Sequence, residues 1–287
     1  MNESGTPRVA VYLDFDNIVI SRYDQIHGRN SFQRDKTAGF HNAPGRLTTA
    51  TVDVGAIIDF ASSFGTLVLT KAYADWSVDV NAEYRGQLVG RAVDLVQLFP
   101  AAAYAKNGAD IRLAVDAVED MFRLPDLTHV VIVAGDSDYI ALAQRCKRLG
   151  RYVVGIGITG SMSRSLTAAC DEFVSYDALP GVPVAVPKKG AKRAKAQEPD
   201  DEPEQPDPQA AATGLLERAL RIGHEKDDAD WLHNSAVKAQ MKRMDPSFSE
   251  KSLGFKSFSD FLRSRTDVVD LDESSTTRMV RLKPAAT

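Results

Sequence analysis

The chain has 287 residues, 44% of them hydrophobic and 26% charged, an ordinary balance for globular proteins and enough length for one medium and one small domain. Its formal net charge of −4 excludes a protein that holds nucleic acid by overall basicity, so any such contact must rest on local patches or metal ions. No apolar run approaches the ~18 residues of a membrane span, residues 1–7 lack the regions of a signal peptide, and two cysteines make no disulfide framework; a reducing cytoplasm is the expected setting.

Residues 9–13 (Val-Ala-Val-Tyr-Leu) are apolar and β-favouring, which predicts a strand buried on both faces. The strand then breaks into Asp14, Asp16 and Asn17, for which packing offers no reason. In open α/β sheets the carboxyl edge of a central strand is where ligands bind. Residues 21–50 are polar and read as a long loop. Periodicity predicts a helix over 52–64 with Gly65 as its C′ residue, a strand over 67–74, a helix over 80–88 and a strand over 92–99. Residues 110–122 have a strong helical pattern, with Ile111, Leu113, Ala114, Val115, Val118 and Phe122 as the apolar face. A second buried strand, 129–134, runs into Gly135-Asp-Ser-Asp138. A helix to Leu149, a strand over 152–156, a short helix over 164–170 and a strand over 173–175 follow. Strands alternating with helices imply βαβ units, hence an α/β fold with a parallel sheet. Prolines and opposed charge clusters make 179–212 a flexible linker by composition. Residues 213–283 regain apolar periodicity and predict three helices and a hairpin, a small winged-helix-like domain.

Two buried strands thus end in carboxylates, Asp14 with Asp16 and Asp136 with Asp138. Asp110 and Asp116 share a helix but lie about 600° apart around it, and Asp110, in the first turn, is the better placed to reach the sheet edge. Clustered carboxylates without His or Cys suit a hard cation, Mg²⁺ or Mn²⁺. The competing reading makes Asp136 and Asp138 helix caps; Asp116 and Asp171 read as structural. Gly155-Ile-Gly-Ile-Thr-Gly160 fits a dinucleotide-binding pattern, but only one short helix and one strand follow it before the linker, so such a fold would lack its second half. Arg22, Arg46, Lys71 and Lys106 are candidates for steering a phosphate backbone.

Leu13-Asp-Phe-Asp-Asn17, Lys106-Asn-Gly-Ala-Asp110-Ile-Arg-Leu-Ala-Val-Asp116 and Val133-Ala-Gly-Asp-Ser-Asp138-Tyr139 resemble the three signature motifs of NYN domains. Ser163-Arg-Ser-Leu-Thr-Ala-Ala-Cys-Asp-Glu-Phe173 resembles the closing helix and strand. The resemblance covers about residues 8–178. It implies a PIN-like three-layer domain with a central parallel sheet, acting as a metal-dependent ribonuclease. It further implies Asp14, Asp110, Asp136 and Asp138 as ligands of Mg²⁺ or Mn²⁺, with Asn17 assisting; Asp16 fills a position that varies among PIN-like domains. Trp231-Leu-His-Asn-Ser235, Pro246-Ser-Phe-Ser249 and Gly254-Phe-Lys-Ser-Phe-Ser-Asp-Phe-Leu262 resemble the LOTUS (OST-HTH) domain, a winged-helix module. This implies that residues 213–283 bind RNA or a protein partner; Lys238, Lys242, Arg243 and Lys256 are candidate phosphate contacts. Two other readings stay open. One is an RNA-binding adaptor with a weak or inactive nuclease site. The other is a haloacid dehalogenase-like phosphatase, which Asp14-Phe-Asp16 also suits, with Asp14 as nucleophile and Asp16 as general acid/base.

Overall fold

The apolar run that opens the chain forms strand β1, Arg8–Asp14, and residues 9–13 are wholly buried. In the computed structural model, which describes residues 6–99, 108–183, 207–227, 229–274 and 278–283, β1 is flanked on both sides by parallel partners. These are β2 (Thr66–Ala74) and β4 (His129–Val133). With β3 (Asp94–Gln97), β5 (Tyr152–Gly157) and β6 (Glu172–Ser175) they make a six-stranded parallel sheet of order β3-β2-β1-β4-β5-β6. The chain moves outward from β1 to β3, returns to β4, and moves outward again to β6. The order therefore reverses between β1 and β4, and the crevice at their carboxyl ends is where doubly wound sheets bind ligands.

Alternate residues of β1 feed two cores. Val9, Val11 and Leu13 face the layer of α1 (Phe15–His27) and α4 (Val54–Ser62). The same core takes residues of two short helices, α5 (Asp79–Ala82) and α6 (Arg85–Val89). Ala10 and Tyr12 face α7 (Gly108–Arg123), α8 (Ile140–Arg148) and α9 (Arg164–Ala169). The result is a helix–sheet–helix sandwich, the α/β class and PIN-like layering expected from the alternation of strands and helices.

Three local expectations are corrected. The stretch read as a loop from 21 to 50 is largely helical: α1 runs on to His27, and α2 (Ser31–Ala38), a 3₁₀ turn at Phe40–Asn42 and α3 (Arg46–Thr49) follow. Its polar residues conceal this because their partners are internal. The Asp24 carboxylate accepts from the amides of Asn30 and Phe32, and Tyr23 packs edge-on against Phe32 and Phe40. Gly65 is not a helix C′ residue, since α4 ends at Ser62. It lets the chain pass Pro7, whose carbonyl oxygen would lie 2.2 Å from any Cβ at that position.

The third correction concerns α7. Ile111, Val115 and Phe122, expected in its apolar face, are 64%, 57% and 71% exposed. The helix instead turns Leu113, Ala117 and Met121 inward together with Asp116 and Asp120. Buried polar groups are tolerated when they are hydrogen-bonded, and these carboxylates are. The Tyr73 hydroxyl donates to Asp116 at 3.0 Å, the Tyr12 hydroxyl to Asp120 at 3.1 Å, and Lys71 pairs with Asp120 at 2.6 Å.

Arg22 also proves internal. It pairs with Asp177 at 2.6 Å, only 5% of its side chain is exposed, and its guanidinium lies 5.2 Å from the centre of the Tyr176 ring. Removing Arg22 leaves the Asp177 carboxylate, 15% exposed, without its cation and with only the Gln25 amide as a partner. Arg22→Ala is therefore expected to lower unfolding stability by about 3–5 kcal/mol in urea titrations. A loss within ~0.5 kcal/mol, the range of ordinary surface changes, would show that the pair does not hold α1 against the end of the sheet.

The chain divides into two compact units, and the second has its own core. Helix α10 (Pro208–Asp227) starts inside the stretch read as linker, residues 184–206 of which lie outside the described residues. Leu216 and Leu220 of α10 pack with Met241 of α11 (Asn234–Met244) and Phe261 of α12 (Phe258–Arg263). Strands β7 (Leu232–His233), β8 (Val269–Asp272) and β9 (Met279–Leu282) form an antiparallel sheet of order β7-β9-β8. Three helices and a small antiparallel sheet agree with the winged-helix expectation.

Candidate functional site

The carboxyl ends of β1 and β4 carry the acidic residues that interrupt the two buried strands. Asp14, 3% exposed, caps α1 by accepting from the Asn17 amide at 3.2 Å. Asp110 reaches the same point from the first turn of α7. The hydroxyl of Tyr139, in the 3₁₀ turn after β4, lies 2.8 Å from Asp14 Oδ2 and 2.8 Å from Asp110 Oδ1. That hydroxyl has one proton and can donate to one carboxylate at a time. The two carboxylates compete for it, and the bond opposes the rise that burial imposes on each. Burial pushes Asp14 up to about 7, with the charges of Asp110 and Asp16 adding and the Tyr139 hydroxyl and Asn17 amide opposing. Asp110 is raised as well, by burial first and then by the charges of Asp136 and Asp138.

The other sequence-predicted residues surround this pair. Asn17 Oδ1 accepts from the Gly135 amide at 3.2 Å, tying α1 to the end of β4. Gly135 admits no side chain, because a Cβ there would lie 2.7 Å from the Ser161 carbonyl oxygen. Asp136 accepts from the Asp138 amide at 3.3 Å, which caps the turn, while its charge still acts on Asp110. Asp16 turns toward β2, where its carboxylate accepts from Asn81 Nδ2 at 2.6 Å and from the Asp75 amide at 3.3 Å. The structure therefore brings Asp14 and Asp110 into contact, sets Asp136 and Asp138 within electrostatic range, and makes Asp16 a bracing residue.

Among the described residues, no group of three or more His, Cys, Asp or Glu side chains stands close enough to hold a metal ion. A pair is nevertheless a sufficient protein contribution for a Mg²⁺-type ion, which keeps several waters and completes its shell with phosphate oxygens. A buried carboxyl group and a half-buried one crowded together, both raised and both oxygen donors, fit a hard divalent cation that would offset their charge.

Three of the four cations expected to steer phosphate are engaged in ion pairs. Arg22 is buried, Arg46 pairs with Asp35 at 2.9 Å over the Tyr23 ring, Lys71 pairs with Asp120, and Lys106 lies outside the described residues. Sequence reasoning missed Lys36, exposed in the last turn of α2 and in no ion pair among the described residues. Its charge reaches the sheet edge. Burial raises Asp16 and Lys36 opposes that rise; the Ser77 hydroxyl lowers Asp75 and Lys36 adds to the effect. Tyr139 was also missed, although it directly follows the Gly-Asp-Ser-Asp motif. The apparent dinucleotide glycines pack instead: a Cβ at Gly155 would meet the Phe173 ring at 2.3 Å, and one at Gly157 would meet Met162 at 3.0 Å.

The sequence matches the NYN domain over residues 8–177, more than half of the chain. The chain belongs to the NYN family. The NYN domain is a member of the PIN-like nuclease superfamily, and the acidic edge described above lies inside the match. The OST-HTH/LOTUS domain, an RNA-binding module, matches residues 206–281. No curated protein matches the chain. Among solved structures, one of a protein of unknown function from Vibrio parahaemolyticus RIMD 2210633 is similar at 20% identity and a TM-score of 0.45, over 61% of this chain and 96% of that one.

In the LOTUS unit, Lys238 is bound to Glu250 at 2.5 Å and lies 5.8 Å from the Phe258 ring centre, so a phosphate would compete with that carboxylate for it. Arg243 and Lys256 are exposed. No helix among the described residues is long and apolar enough to cross a membrane.

Proposed function

We propose that this NYN protein is a Mg²⁺- or Mn²⁺-dependent ribonuclease that hydrolyses RNA phosphodiester bonds, with its second unit holding RNA. The observation that carries this reading is the Asp14–Asp110 pair, two carboxyl groups sharing one tyrosine hydroxyl where the strand order reverses. In this reading Asp14 and Asp110 bind the cation in their ionised form, Tyr139 sets the spacing of their oxygens, and Asn17 holds the Gly135 turn in register. Asp136 and Asp138, within electrostatic range of Asp110, would act on the cation through its bound waters. Bound there, the cation would neutralise charge on the phosphate and lower the pKa of a water. Lys36 draws the phosphate backbone toward the edge. The proposed division is a nuclease domain extending to residue 183, since Leu179 and Val182 pack in its core, and an RNA-binding domain from residue 207, since α10 begins at Pro208; the residues between them lie outside the described ones. A cytoplasmic setting suits the buried thiols Cys146 and Cys170, both pushed up to about 12 by burial and so neutral at physiological pH. The phosphatase reading is disfavoured because Asp14 is 3% exposed and held near neutrality, poor properties for a carboxylate nucleophile.

Product analysis tests the chemistry. Incubation with end-labelled single-stranded RNA and Mn²⁺ is expected to give shorter chains bearing 5′-phosphate and 3′-hydroxyl ends. A 2′-O-methyl group at the cleaved nucleotide should leave cleavage possible, because direct hydrolysis does not use the 2′-hydroxyl. Cyclic 2′,3′-phosphate ends would refute direct hydrolysis. Loss of a terminal phosphate from an uncut chain would make Asp14 a nucleophile instead.

A further inference from the structure

The segment between β5 and α9 is pinned against the acidic edge. The Ser163 amide donates to the Gly135 carbonyl at 2.9 Å, and the Ser161 carbonyl fills the space where a Gly135 side chain would stand. Asp136 and Arg164 each follow one member of that hydrogen-bonded pair, so their Cα atoms are at most about 11 Å apart. An extended arginine side chain covers most of that gap. The other polar side chains of the segment serve the fold. Thr159 shares a hydrogen bond with Ser175, Ser161 donates to the Ile158 carbonyl, and Ser163 caps α9. Arg164 is exposed, and it is the sole charged residue from Tyr152 to Cys170. A stretch of chain otherwise without charge thus carries one cation to the edge.

Lys36 stands on the opposite flank. It belongs to α2, whose Phe32 packs in the α1 layer, and its charge acts on Asp16 and Asp75 beyond the ends of β1 and β2. Arg164 opens α9, whose Leu166 packs in the α7 layer, just after β5. From β2 to β5 is three strand intervals, about 14 Å, and the ends of β1 and β4 lie between them. Asp14, at the end of β1, and Asp110, held to the turn after β4, fall inside that span. A cation on each side of the carboxylate pair, one from each helix layer, defines a line across the edge. A polyanion following that line places phosphates on the two cations and another phosphate over the carboxylates. Such contacts fix the register of a strand without reading its bases.

We infer that Arg164 binds a backbone phosphate of RNA on the β5 side of the acidic edge, so that the strand crosses the edge from Lys36 to Arg164. The inference rests on the ribonuclease reading for which bond is cut, but not for the path of the backbone.

The test uses the full-length protein and a labelled single-stranded oligouridine. Binding is measured in chelator at several salt concentrations, and cleavage is measured separately with Mn²⁺. Arg164→Gln is expected to weaken binding about fivefold at low salt and to reduce the slope of log K against log salt by about 0.7, the value of one phosphate contact on a single strand. Arg164→Lys, which keeps the charge, should restore the wild-type slope. Lys36→Gln should remove a similar amount, and the double variant the sum of about 1.4, as two separate phosphates require. A wild-type slope in Arg164→Gln overturns the inference. So does a reduced slope that Arg164→Lys fails to restore, which would make the residue a structural support of α9. If the wild type cuts no RNA while Arg164 still sets the slope, the path stands and the nuclease reading falls. Cleavage by the wild type with a slope indifferent to Arg164 has the reverse meaning.

Discussion

Asp14→Asn is expected to reduce RNA cleavage by at least about a thousandfold while making the metal-free protein more stable at pH 8. The activity loss follows from removing one of the two carboxylates in contact at the proposed centre, worth several kcal/mol of charge stabilisation. The stability gain follows from the direction of the Asp14 shift. Its carboxyl titrates near 3.8 when unfolded and at about 7 when folded. The folded state therefore favours the protonated form, and the stability this contributes is fully present below about pH 4. It is lost as pH rises toward 7, a total of about 4 kcal/mol. Asparagine carries no charge to bury and still caps α1. After allowing for a weaker bond to the Tyr139 hydroxyl, a net gain of about 2 kcal/mol is expected at pH 8 and none at pH 4. Urea titrations of wild type and variant at both pH values, in chelator, measure this directly. A destabilised Asp14→Asn at pH 8 would mean that Asp14 is a structural cap whose ionised form the fold favours.

Tyr139→Phe is the second large effect, because one oxygen atom organises both carboxyl groups. The substitution keeps the buried ring and removes only the hydroxyl, so the fold should survive. Its hydrogen bonds hold Asp14 and Asp110 below the values burial alone would set. Without them both groups rise further, and the cation must displace a more firmly held proton. Cleavage at pH 7 is expected to fall about 10–100-fold, as for other residues that orient metal ligands. The acidic limb of the pH–rate profile should move to higher pH, and part of the loss should be recovered at pH 9. A purely structural role for Tyr139 would lower activity equally at every pH. An unchanged profile with full activity would remove Tyr139 from the site altogether.

What local pattern determined, it determined well. A short apolar run rich in β-favouring residues reads as a strand covered on both faces, so residues 9–13 pointed to a parallel sheet, and the abrupt carboxylates after it marked the binding edge. The signature motifs carried the family, which the NYN match then showed. Periodicity could not say which side chains the crossovers bring together. Tyr139 meets Asp14 across 125 positions of sequence and Asp110 across 29. Those contacts depend on β1 and β4 being neighbours and on the angle at which α7 crosses the sheet. The same crossing buried Asp116 and Asp120 under tyrosine hydroxyls and left Ile111, Val115 and Phe122 exposed, against the hydrophobic pattern of α7 itself. It also decided which cations were available. A positive charge in sequence has no partner until folding supplies one, and folding supplied Asp177 to Arg22, Asp35 to Arg46 and Asp120 to Lys71, leaving Lys36 exposed near the acidic edge. Backbone periodicity is a local property and was legible residue by residue. Charge pairing and burial are properties of contacts distant in sequence, and only the tertiary structure assigns them.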